Sequence, residues 1–346
     1  GLHGKFAFYD TINFKMTQGI EARNEEEYLR KYIAELEPIT DLIVLSIHQG
    51  MPGRQSSIGK ADVERSLRKD IMLAKNVPGV DVIISGHAHQ GTPKALVSNG
   101  TIIVSTNAYT TELGKLKIKY DTEKDQIISH SNKLITVFDD EIEDDPDMLR
   151  EINFWQKEVE KIASIPVFTS NKKLVRAYGK ESNMGNLFAD AVAATDERID
   201  VAVINSGALR QDIEAGIVTK GDLISAFPFP NTLVMTKLKG TQVREIFNHA
   251  AGMTNGVLQI SENSSYSFTP GEQVDEIWIK GELVADEEEY WVAAPNFVTQ
   301  GGDGYWEFQN SMEYIDTGVV IVDAVEDFIK GVEMYNPKYE GRILVK

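Results

Sequence analysis

Residues 41–50 read DLIVLSIHQG, and residues 80–90 read VDVIISGHAHQ. Each is a short apolar run that ends in small and imidazole side chains. Continuous apolar runs of this length, without alternation, predict strands buried on both faces, here 41–47 and 80–85. Residues 61–74 between them have helical periodicity. So do residues 24–36, where Tyr28, Leu29, Tyr32, Ile33 and Leu36 form one stripe. Strand, helix and strand in that order predict a parallel α/β layer.

Working outward, residues 101–105, 115–120 and 126–138 are β-rich, with a turn at 121–125. An acidic stretch, DDEIEDDPD at 139–147, marks a boundary, and Pro146 opens a helix predicted over 147–163 with the composition of an exposed linker. A second α/β unit follows: a helix over 182–194, a strand over 201–204, a turn into a short helix at 219–224, a helix over 241–251, then mostly strands. The division expected is 1–140, a linker at 141–164, and 165–346. The 346 residues, 42% hydrophobic and 25% charged, are enough for two globular domains.

The net charge of −18 argues against binding a nucleic-acid polymer, which needs a basic face. It leaves anionic small molecules open, because a metal or a few arginines reverse the sign locally. The absence of cysteine excludes thiolate zinc sites and a cysteine nucleophile. No apolar run reaches the length of a membrane span. The opening Gly1-Leu2-His3-Gly4 has no signal-peptide pattern and no initiator Met, so a mature or trimmed product is expected.

Three of the six histidines, His48, His87 and His89, stand at the ends of the two apolar runs. The carboxyl edge of a parallel sheet is where α/β proteins hold ligands. Imidazoles gathered there, with Gly50 and Gly86 leaving room, read as ligands of borderline divalent ions such as Zn²⁺ or Mn²⁺.

LSIHQG followed by SGHAH resembles the second half of the calcineurin-like metallophosphatase domain of the 5'-nucleotidase family. Five later blocks resemble, in order, that family's C-terminal nucleotide-recognition domain: ESNMGNLFADA (181–191), INSGALR (204–210), FPFPNTLV (227–234), PNFVTQGGDGY (295–305) and PKYEGRI (337–343). Members include ecto-5'-nucleotidase and bacterial UDP-sugar hydrolases. The resemblance implies two divalent metal ions that activate a water for attack on a nucleotide phosphate, with His48 and His87 on one ion and His89 on the other. It implies a nucleoside 5'-monophosphate or related ester as substrate, and a periplasmic or extracellular location. A cyclic-nucleotide phosphodiesterase with 3'-nucleotidase activity, or a nucleotide-binding module without catalysis, are the alternatives.

The family also begins with Asp-x-His, Gly-Asp and Gly-Asn-His-Asp/Glu motifs, which supply a bridging Asp, an Asn ligand and the catalytic His. None has a counterpart here. His3 aligns with a strand exit, and His249 reads as a core or surface residue of a helix. The first half of the phosphatase domain is therefore expected to be missing from this chain, and the chain alone to be nearly inactive, with its catalytic residue unassigned.

For the substrate, the resemblance implies that Phe229 and Phe297 sandwich the base. It makes Asp303 the acceptor of ribose hydroxyls, and it places Asn205, Gly207 and Arg210 on the base or phosphate side. Asn183 and Gly185 would pack against this site. Where many relatives carry an arginine before the Asn-Met-Gly run, this chain has Tyr178, and Arg176 is the expected substitute.

Overall fold

The computed structural model describes residues 1–5, 7, 8, 12, 17, 19–50, 60–253 and 256–346. Two compact units result, Gly1–Asp144 and Asp145–Lys346. Among the described residues no helix is long and apolar enough to cross a membrane.

In the first unit, β1 (Leu2–His3), β2 (Val44–Gln49), β3 (Val82–His87) and β5 (Thr101–Ser105) pair in parallel, and β4 (Leu96–Ser98) adds antiparallel to β5. Helix α1 (Glu25–Leu36) starts where the Asn24 side chain accepts the amides of Glu26 and Glu27. The helix expected over 61–74 forms as two, α2 (Lys60–Ser66) and α3 (Arg68–Asn76), broken at Leu67. One sheet face buries Leu45, Ile47 and Ile83 against Leu29, Ile33 and Leu73 of these helices and Leu67 at the break. The other is only partly covered. The hairpin of β6 (Glu112–Asp121) and β7 (Gln126–Thr136) brings Leu116, Ile118 and Ile127 over Val82, Ile102 and Val104.

The expectation that residues 41–47 are buried on both faces is corrected here. Along β2 exposure alternates, so that Val44, Ser46 and His48 are exposed while Leu45, Ile47 and Gln49 are buried. On β3, Ile84 is also exposed. The apolar run is explained by one packed face plus an open strip that the hairpin does not reach.

The second unit opens with α4 (Pro146–Ala163), N-capped by Asp145, with no buried residue. It contacts this unit through its last turn, where Ala163 lies against Gly221. Then come β8 (Pro166–Ser170), α5 (Asn183–Ala193), β9 (Val201–Asn205), β10 (Gly216–Thr219), α6 (Lys220–Ala226), β11 (Thr232–Lys239) and α7 (Gly240–Gly252). Strands β12 (Leu258–Ile260), β13 (Ser265–Phe268), β14 (Val274–Ile279), β15 (Glu282–Leu283) and β16 (Glu289–Pro295) precede α8 (Asn296–Thr299). Last are β17 (Glu313–Val320), α9 (Ile321–Phe328) and β18 (Ile343–Val345).

The central sheet runs β12-β9-β16-β11-β17, with β9 and β16 parallel and the other pairs antiparallel. One core gathers Met184, Leu187 and Phe188 of α5, Val325 of α9 and Phe227 on one face. A second gathers Val243, Ile246 and Phe247 of α7 with the β15-β14-β13-β18 sheet on the other. The 181–191 and 337–343 blocks meet: the buried Glu181 carboxylate accepts the amides of Glu340, Gly341 and Arg342, and Asp190 pairs with Arg342 through two nitrogens at 2.6 and 2.9 Å. These blocks are a structural clasp.

Candidate functional site

In the second unit, β9 and β16 are parallel, with Val201 level with Val292 and Ala202 with Ala293. Asn205 at the end of β9 and Phe297 just beyond β16 therefore emerge at the same sheet edge. The chain after α8 turns tightly through Gly301, Gly302, Asp303 and Gly304. Asp303 is left-handed at φ 55°, between Gly301 at 90° and Gly304 at 84°. Gly302 is required by proximity, since a Cβ there would lie 2.5 Å from the Phe297 ring.

This turn aims the Asp303 carboxylate back at β9, where Asn205 Nδ2 donates to Oδ2 at 2.9 Å. Gly207 borders the same pair: a Cβ on it would stand 3.9 Å from Asp303 Oδ2. Burial pushes the Asp303 carboxyl up, opposed by the Asn205 hydrogen bond and the charges of Arg210 and His249. The Arg210 guanidinium lies 5.3 Å from the Phe229 ring centroid, and Phe229 stands edge-on to Phe227, itself stacked on Phe188. Both Phe229 and Phe297 are half-buried, each resting on one of the two cores. Asn205 Oδ1 is buried with no hydrogen-bond partner among the described residues, an acceptor open to a donor.

Asn205, Gly207, Asp303 and, across Gly302, Phe297 are thus brought together, with Arg210 and Phe229 paired beside them. Arg176 has partners of its own. Its guanidinium donates to the Tyr178 hydroxyl at 2.9 Å and lies over that ring, with Asp212 3.9 Å away. Asn183 accepts the Val175 amide and donates to the Lys173 carbonyl. Gly185 packs on Gln259, which donates to Ser206 beside Asn205. His249 has a part that its helical setting does not betray. Its Nε2–H donates to the Asp303 carbonyl at 2.8 Å, pinning the turn from behind, and a Cβ on Gly304 would come within 3.0 Å of its ring. Only its place three residues before the end of a helix, where a ring can reach a neighbouring loop, hints at this.

In the first unit, His48 is level with Gly86 on β3, and the His48 and His87 ring centroids are 4.9 Å apart. Both His87 (φ 72°) and His89 (φ 52°) hold left-handed backbone, which costs a non-glycine residue and concentrates at functional positions. His89 faces Tyr109, its ring centroid 5.6 Å away. Burial, then the nearby His3, hold the His48 imidazole below its ordinary pKa. Beneath the two strand ends lies Asp70, fully buried. Gln49 Nε2 donates to its Oδ1 at 3.1 Å and Ser85 Oγ to its Oδ2 at 3.0 Å. Burial raises its pKa to about 6. Asp70 so ties the residue after His48 to the strand that carries His87. Among the described residues no three His, Asp or Glu side chains converge into a metal-holding group. The His48–His87 pair fits one side of a divalent centre, by its donor chemistry and spacing, but not a complete two-metal set.

Residues 161–310 match the 5'-nucleotidase C-terminal domain family. The trifunctional nucleotide phosphoesterase protein YfkN of Bacillus subtilis is 31% identical over 302 residues, covering 80% of this chain and 20% of that protein. Human 5'-nucleotidase is 27% identical over 326 residues, covering 79% of this chain and 56% of that protein. The chain thus spans about a fifth of one relative and about half of the other. The crystal structure of a 5'-nucleotidase precursor from Thermus thermophilus shares the fold, with a TM-score of 0.78 and 22% identity over 93% of this chain and 68% of that one. By the domain match, residues 161–310 belong to the 5'-nucleotidase C-terminal domain family, and the chain as a whole is similar to 5'-nucleotidases.

Proposed function

We propose that this chain binds a nucleoside 5'-monophosphate or a related nucleotide ester in its second unit and serves a metal-dependent phosphohydrolase. The observation that carries the reading is the group at the β9–β16 edge. There a carboxylate and an amide lie within hydrogen-bond reach of one another, with Phe297 across Gly302 and the Arg210–Phe229 pair beside them. Vicinal ribose hydroxyls donate to Asp303 and to the open Oδ1 of Asn205. Phe229 and Phe297 offer ring faces to the base, a contact that tolerates any base and contributes about 1–3 kcal/mol per ring. Arg210 supplies positive charge beside the phosphate-bearing side in a chain otherwise strongly acidic.

For the chemical step, His48 and His87 would hold a divalent ion, with His89 toward a second. Such ions polarise a phosphoryl oxygen and lower the pKa of water. Asp70, through Gln49 and Ser85, fixes the two strand ends from which these imidazoles project. The family setting supports an exported location, periplasmic or extracellular. A second reading, a nucleotide-binding module without turnover, draws support from the lack of a convergent three-ligand group among the described residues.

The test is calorimetric titration with adenosine and adenosine 5'-monophosphate, without and with Mn²⁺. Phe297→Ala should weaken both by about 1–3 kcal/mol and leave metal content unchanged. Equal affinity in the variant removes the stacking role. Nucleotide binding without any phosphate release in Mn²⁺ or Zn²⁺ selects the second reading.

A further inference from the structure

We propose that His3 is a metal ligand, and that His3 and His48, in place of the His48–His87 pair, share a divalent transition-metal ion with water in its remaining positions. The inference rests on the reading of His48 as a metal-facing imidazole and adds a residue which that reading leaves out. Strands β1 and β2 are parallel, with His3 level with His48, so both side chains rise from the same sheet face. Their ring centroids are 5.3 Å apart. Two imidazoles on one tetrahedral ion, each nitrogen about 2.1 Å from the metal, have centroids roughly 5 Å apart. His3 and His48 already stand at that separation.

The backbone around them is fixed. Gly4 N–H donates to the His48 carbonyl at 3.0 Å, and a Cβ on Gly4 would fall 2.5 Å from Gln49 Cβ, so the strands can close only around glycine. The Gly4 carbonyl faces His3 Nδ1 at 3.1 Å. A carbonyl only accepts, so Nδ1 carries the proton and Nε2 of the neutral ring keeps its lone pair for a metal, the usual arrangement of metal-binding histidines. His3, Ser46, His48 and Gly86 line one cavity of about 370 Å³, room for an ion with water in its remaining positions. The edge-on Phe8 ring, 5.9 Å from His3, gives the imidazole an apolar flank.

The experiment is Zn²⁺ titration of the whole chain by calorimetry, with imidazole nitrogen NMR spectra recorded alongside. His3→Gln should weaken Zn²⁺ binding at least as much as loss of a group that merely orients a metal-bound histidine does, about 10–100-fold. The exposed His130→Gln should not change it. In the unsubstituted protein, Ni²⁺ should broaden the His3 and His48 ring signals together, which needs no variant to fold. Unchanged affinity in His3→Gln with loss in His48→Gln, or broadening at His48 but not His3, overturns the proposal and leaves His48 as a ligand. No Zn²⁺ effect in any variant overturns both readings.

Discussion

Asp70 sits on a surface-patterned helix, yet its side chain is fully buried beneath β2 and β3. Its carboxyl titrates at about 6, above the ordinary value of 3.8, because burial disfavours the charge more than the Gln49 and Ser85 hydrogen bonds favour it. The native state therefore holds this proton more tightly than the unfolded chain does. The Asp70 contribution to stability is at its full value below about pH 4 and is lost as pH rises through about 6, by about 2–3 kcal/mol. Asp70→Asn has no such charge to bury. Hydrogen exchange of the β2 and β3 amides should show the variant gaining on the parent by that amount between pH 4 and 7. A difference independent of pH would remove burial of the carboxylate as the cause. Neither Asp70 nor His249 was legible in the sequence, because each acts on a partner 15 or more residues away. By contrast, Phe229, Phe297, Asp303, Asn205, Gly207 and Arg210 were nameable because short blocks around them carry the family pattern. Arg176 was also named, but its guanidinium is held by Tyr178 and Asp212.

At the scale of elements, local signals served well where the helix start is polar. Asn24, Asp145, Ser182 and Thr219 each accept backbone amides at the first turn of a helix. Local signals failed on β2, because an apolar strand under one layer and an apolar strand between two layers read alike. The packing of α5 on β12 depends on Gly185. A Cβ there would lie 2.3 Å from Gln259 Cγ, and Gln259 cannot move aside: it is fully buried and bonded to Ser182, Lys180 and Ser206. Gly185→Ala should destabilise the second unit by about 1–3 kcal/mol despite the better helix propensity of alanine. A denaturation midpoint equal to the parent's would show that Gln259 yields.

For the whole molecule, all four tryptophans, Trp155, Trp278, Trp291 and Trp306, fall in the second unit, which has two cores of its own. A chain of residues 145–346 should unfold cooperatively, with the tryptophan-fluorescence midpoint of the full chain. A broad transition at lower denaturant would make the first unit part of its stability. The division at Asp144/Asp145 falls within the acidic stretch at 139–147. The pairing of residues 181–191 with 337–343 had no local sign, since it spans more than 150 positions.

That clasp also orders events in time. During synthesis Glu181 and Asp190 are made first, while the amides and guanidinium that pair with them follow more than 150 residues later. Until residues 340–342 arrive, two carboxylates are bound for a buried site without counterparts, and β13 lacks its parallel neighbour β18. The nascent second unit should therefore stay protease-accessible until that segment is made, and a ribosome stalled before position 340 should hold a chain that chaperones still recognise.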